Sequence, residues 1–176
     1  MAFSPFNPQD ILKVGEALDI AEDKTGDYFK FSGEQWKRHR YNVKTLSELD
    51  HHEIAPEAFA LLEKIAGVSG SLEPPKRGRD FYLICLQDHQ ILKALRRDRE
   101  LVLLPLLVYV FTHELVHIIR FCNFYQRFEV GGKDREREER IVHTTTYEIL
   151  KDLAIGKMSY ILESYESHRI CDLALC

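Results

Sequence analysis

The chain is 176 residues long, 45% hydrophobic and 30% charged, and its 24 Lys and Arg against 28 Asp and Glu give a net charge of −4. That is one domain's worth of protein with enough apolar material for its own core, which excludes a disordered chain and a miniature fold held only by disulfides. The acidic balance argues against a protein that coats nucleic acid by releasing counterions, and leaves only a local basic-aromatic patch, Trp36 to Tyr41.

Elements follow in chain order. Pro5 and Pro8 mark an irregular lead-in, and Ile11, Leu12, Val14, Ala17, Leu18 and Ala21 recur at helical spacing until about Gly26. Asp27 to Phe31, before Ser32-Gly33, reads as a short strand and turn. Asp50-His51-His52-Glu53 reads as a solvated helix entry, because adjacent side chains diverge and rarely chelate one ion together. Pro56 to Ala66 predicts a helix stopped by Gly67, and Gly67 to Gly78 a breaker-rich loop. Asp80 to Leu86 is the best strand, aromatic and β-branched, and Asp88 to Arg97 is either a helix or a polar strand. Leu101 to Phe111 is an 11-residue apolar run, short of the ~20 needed to cross a bilayer, and predicts a buried core helix with Pro105 at its start or at a kink. An irregular aromatic stretch, Phe121 to Val130, leads through Gly131-Gly132 into a helix from Lys133 to about Leu153, and a last helix covers Met158 to Leu173.

These elements predict a single domain over 1–176, with a helical N-terminal part (1–66) and a metal-binding part (79–176). The fold class is α+β: a small twisted sheet packed on helices, with one buried helix in the middle. Four scattered cysteines, Cys85, Cys122, Cys171 and Cys176, form no Cys-x-x-Cys pair, which fits reduced thiols rather than a zinc ribbon. The N-terminal residues lack the charge and apolar pattern of a secretory signal, so the expected location is cytoplasmic.

The chemistry is carried by His113-Glu114-Leu115-Val116-His117, at the end of the apolar run. Four residues make slightly more than one helical turn, so His113 and His117 share a face and offer two corners of a tetrahedral Zn2+ site. Glu114 projects to the neighbouring side, placed to act as general base on water beside the metal. Two histidines and a glutamate on the most apolar helix, with no metal, would be costly to desolvate.

This segment resembles the zincin zinc metallopeptidases, and the layout of strand, motif helix and Glu-bearing helix resembles a minimal gluzincin. The metzincin extension is excluded, because its Gly and third His positions hold Arg120 and Asn123. The resemblance implies a third metal ligand from a Glu on a later helix, and Glu136, Glu138 and Glu139 are available. On a helical wheel Glu139 falls within the stripe of Val142, Ile149, Leu150 and Leu153, Glu138 at its border and Glu136 outside. Glu139 is preferred, with Glu138 and His143 as rivals. His143 stands where the gluzincin pattern carries an Asp, and its role stays open between a donor to a ligand, a ligand and a transition-state stabiliser. Small metallopeptidase domains that act on bacterial repressors and stress regulators are also similar, though they carry Ala and aromatic residues after the Glu where this chain has Arg140-Ile141-Val142-His143.

A ferritin-like di-iron centre would need Glu-x-x-His on two helices, and only Glu114 with His117 supplies it. Tyr147, Tyr160, Tyr165 and His168 are candidate oxyanion donors, and Cys122 lies near enough in sequence to approach the metal. The expected function is a zinc-dependent hydrolase, a metallopeptidase acting on a peptide or protein substrate, without a membrane span. The alternatives are a catalytically silent zinc-binding scaffold or sensor, and a regulatory protease restricted to one protein partner.

Overall fold

The structure, a computed structural model, describes residues 3–38, 41–65, 81–123, 131–166 and 171–175. The expected Gly67–Gly78 loop, residues 124–130 and His168 lie outside them. The fold is α+β, as expected, with six helices and a four-stranded sheet among the described residues.

Helix α1 (Pro8–Phe29) begins at a reciprocal cap: the Asp10 amide donates to the Asn7 side chain at 2.9 Å and the Asn7 amide to the Asp10 carboxylate at 3.1 Å. It extends to Phe29, into the segment expected to be a strand, Asp27 to Phe31, and is capped at Lys30, whose φ of 58° closes the helix in the left-handed region. Gly26 does not stop the helix. A Cβ there would lie 2.9 Å from the Trp36 indole nitrogen, so Gly26 is a close-approach residue within the helix. Trp36 sits on the short helix α2 (Gly33–Arg38), which leads to strand β1 (Tyr41–Lys44).

The N-terminal part is not simply helical. Where Pro56 to Ala66 predicted a helix, strand β2 (Ala60–Ile65) forms and pairs antiparallel with β3 (Phe81–Leu86). The sequence ALLEKI favours helix by propensity, but its first four residues are all buried, and a short run buried on both sides is compatible with either state. Cross-strand pairing decides it. The order is β1-β3-β2-β4, with β1 parallel to β3 and β4 (Cys171–Leu175) parallel to β2. The predicted helix to Leu173 therefore stops early, as α6 (Met158–Tyr165), and its last residues are a strand.

One sheet face, with Ala60, Leu62, Tyr82, Ile84 and Leu86, belongs to the main core. The other, with Leu61, Leu83 and Cys85, joins Ala55 and Ala58 in a smaller cluster. Between β3 and helix α3 (Asp88–Arg97) a buried polar corner ties loops to the sheet: the Asp88 carboxylate accepts from the Phe6 and Leu46 amides, and the Gln87 side chain donates to the Glu53 and Cys85 carbonyls while accepting from the Ala55 amide.

Helix α4 (Leu103–Cys122) is the centre of the molecule. Pro105 sits in its first turn, where the missing N–H has no intrahelical partner to lose, so it starts the helix rather than kinking it. The helix does not end with the apolar run but continues through the motif. At 20 residues it is long and apolar enough to cross a membrane, yet 89% of its apolar window is buried inside the fold, as in a core helix. Val14, Ala17 and Ala21 of α1 pack on it with the sheet and α6, and α5 (Gly132–Leu150) flanks the motif.

Candidate metal centre

His113, Glu114 and His117 are all fully buried on the C-terminal half of α4. The two imidazoles converge: their Nε2 atoms lie 3.2 Å apart. Glu139 of α5 reaches both, with Oε2 3.3 Å from His113 Nε2 and Oε1 3.1 Å from His117 Nε2. A tetrahedral zinc ion with bonds of about 2.0–2.1 Å spaces its ligand atoms about 3.3–3.4 Å apart, and the two nitrogens stand at that order of separation from each other and each from one oxygen of Glu139. Two imidazoles and a carboxylate are also a donor set that zinc uses with a fourth position left open. In the absence of a cation each imidazole Nε2 can donate a proton to its own oxygen of Glu139, and a metal ion would take the place of those two protons.

The electrostatics agree with a ligating role. Burial pushes the His113 imidazole down to about 4, outweighing the upward pull of Glu139, so at neutral pH it is uncharged, the form that binds metals. Burial raises the Glu139 carboxyl, but the donors on His113 and His117 outweigh it and hold the group well below the usual carboxylate range. The Nδ1 atoms of His113 and His117 have no hydrogen-bond partner among the described residues. Packing orients the rings instead: His117 stacks on Phe121 at 5.7 Å, and His113 meets the His143 ring edge-on at 4.8 Å.

Glu138, the rival ligand, is the more deeply buried of the two glutamates, which the helical wheel ranked the other way. It is engaged elsewhere. Arg120 Nε and Nη2 donate to its two oxygens at 2.5 and 2.9 Å, a bidentate pair joining the last turn of α4 to α5 one residue before Glu139. Arg120 occupies the position that excluded the metzincin pattern, and here it sets the register that brings Glu139 to the histidines. Glu136 is exposed, as the wheel predicted.

His143 offers a donor atom within 4.8 Å of donors on both His113 and Glu139. Its Nδ1 lies 3.0 Å from the Tyr109 hydroxyl, which also donates to the Tyr165 carbonyl at 3.3 Å. Tyr109 was not among the candidates read from sequence, although it stands one turn before His113 on the same helical face; an apolar run invites every residue in it to be read as core. Tyr109, Glu139 and His143 open onto a cleft of about 960 Å³ between α5 and α6, also lined by Arg135, Arg140 and Tyr147. Of the other oxyanion candidates, the Tyr160 hydroxyl donates to Asp98 at 2.6 Å, and the Tyr165 ring packs against Tyr109. Cys122 ends α4 and belongs to no metal-competent group among the described residues.

No protein-family model matches the chain, and no curated protein or solved structure is similar to it in these comparisons.

Proposed function

We propose that this protein is a zinc-dependent hydrolase, a peptidase of zincin-like, gluzincin-type architecture, with His113, His117 and Glu139 as metal ligands and Glu114 as general base. The observation that carries the reading is the convergence of both imidazole Nε2 atoms on the two oxygens of Glu139, at separations of 3.1–3.3 Å between two packed helices. When bound, the ion supplies a Lewis acid that polarises a carbonyl oxygen and brings the pKa of water towards neutrality. Glu114, next to His113 on α4, removes a proton from the attacking water and returns it to the leaving amine. Tyr109 and His143, hydrogen-bonded to each other at the cleft wall, orient a peptide carbonyl entering from the α5 side. The cleft suits a peptide or protein segment, and the reduced-thiol reading of the cysteines goes with a cytoplasmic setting.

One observation favours the second reading, a zinc-holding scaffold or sensor without turnover. His113, Glu114 and His117 are fully buried and are not among the described residues that line the cleft, whereas Tyr109, Glu139 and His143 are. Substitution of Glu114 by Gln separates the two. The hydrolase reading expects one zinc per chain in both parent and E114Q, peptide hydrolysis in the parent, and at least about a 100-fold loss in the variant. A parent that holds zinc but cleaves nothing in a diverse peptide library leaves the scaffold reading. A parent that binds no zinc overturns both.

A further inference from the structure

We propose a second metal site, on the far face of the sheet from the helices, formed by Glu53, Glu63 and Cys85 and selective for a borderline-soft divalent cation such as zinc. Carboxylate oxygens of Glu53 and Glu63 and the Cys85 sulfur all lie within 4.8 Å of one another, and all three residues are buried, with exposures of 2%, 1% and 0%.

Register builds the group. Cys85 of β3 faces Lys44 of β1 on one side and Leu61 of β2 on the other, and Glu63 stands two residues along β2 on the same face. Glu53 comes from the 3-10 turn His51–Glu53, whose backbone is pinned over the sheet by the Gln87 side chain. The Glu53 carboxylate is supported on both oxygens, accepting from Lys44 Nζ at 2.6 Å and from the Asp50 amide at 2.7 Å. Glu63 is not so supported: its Oε1 is buried without a hydrogen-bond partner among the described residues.

A buried carboxylate with an idle oxygen is strongly disfavoured unless something positive meets it. Lys44 supplies one positive charge against two carboxylates, and it already serves Glu53. A divalent cation with an ionised Cys85 thiolate brings the whole group to formal neutrality. Two carboxylate oxygens and one sulfur are ligands zinc accepts, while the sulfur disfavours magnesium and calcium. Lys44 is partly exposed and marks the rim through which an ion enters.

The site stands independently of the His113–His117–Glu139 centre, which has no sulfur donor, and a sulfur signature separates them. Titration of the metal-free chain with Co2+ should bind two ions per chain and produce a thiolate-to-cobalt charge-transfer band in the near ultraviolet. Cys85→Ser should abolish the band and leave one cobalt, Glu63→Gln should weaken the band-forming step by about 10-fold or more, and Zn2+ should displace the signal. Should Cys85→Ser fail to fold, a chain with Cys122, Cys171 and Cys176 changed to Ser must still give the band. No band in the parent or in that variant overturns the proposal. A band that survives in folded Cys85→Ser overturns it as well.

Discussion

Changing Arg120 to Met tests how the proposed metal centre is held together. Arg120 and Glu138 are 18% and 5% exposed at their side chains and joined by two short hydrogen bonds, so truncating the cation leaves a carboxylate stranded beneath α5. Removing one partner of a largely buried pair costs about 3–5 kcal/mol, whereas replacing both with apolar groups is often neutral or stabilising. R120M should therefore lower the urea midpoint by an amount equivalent to about 3 kcal/mol at unchanged slope, a fall in melting temperature of roughly 6–12 °C for a chain of this size. R120M/E138L should recover most of that loss. Because the pair fixes α5 one residue from Glu139, R120M should also weaken zinc binding by about 10–100-fold, as loss of a supporting residue does. A loss below about 1 kcal/mol in R120M, with zinc affinity unchanged, would mean that the pair behaves as an ordinary surface ion pair and that α5 is positioned by something else.

Three further outcomes are expected. In a zinc titration, Glu139→Ala should lose affinity by orders of magnitude, while Glu136→Ala should match the parent; release of zinc by His143→Ala alone would make the centre a three-histidine one. Gly26→Ala gains about 1 kcal/mol of helix propensity but drives a methyl group to 2.9 Å from the rigid Trp36 ring, and an overpacking cost of about 1–3 kcal/mol should leave the variant less stable in a denaturant melt. His89 is buried against Phe3, and burial, with Lys93 nearby, lowers its pKa from the ordinary 6.5. The unfolded state thus takes up the proton first, so this contribution to stability is fully present above about pH 6.5 and is lost as the pH falls through the folded value. His89→Gln should flatten the stability-against-pH curve on the acid side of 6.5, and an unchanged slope would show that the ring is solvated.

The motif helix was legible because two signals coincide at 101–117: a long apolar run sets the helix, and the His-Glu-x-x-His spacing gives it a chemical face. Glu139 was preferred on a helical wheel that placed it deeper than Glu138; the burial order is the reverse, because a wheel cannot see that Arg120 draws Glu138 inward. Strand β2 was illegible because Ala, Leu, Glu and Lys favour helix, and the partner that overrides them, β3, lies beyond a long intervening segment. Glu53 was read as solvated from its polar neighbours Asp50, His51 and His52. It is the buried member of that run, its carbonyl accepting a hydrogen bond from the Gln87 side chain that no local pattern encodes.

The strand order also bears on how the molecule assembles. Helices α1 and α4 are largely local structures, but β2 cannot complete its hydrogen bonding until β4 arrives, with Ala60 pairing with Cys171, 111 residues later. Closing so large a loop must precede any gain from the pairing, which places the sheet's completion late and makes folding slower than the helix content suggests. Until then β2 presents an open backbone edge next to apolar Leu61 and Leu62, a template for strands of other chains. On the ribosome that exposure lasts until residues 171–175 have emerged, so nascent chains lacking them should be the aggregation-prone form of this protein.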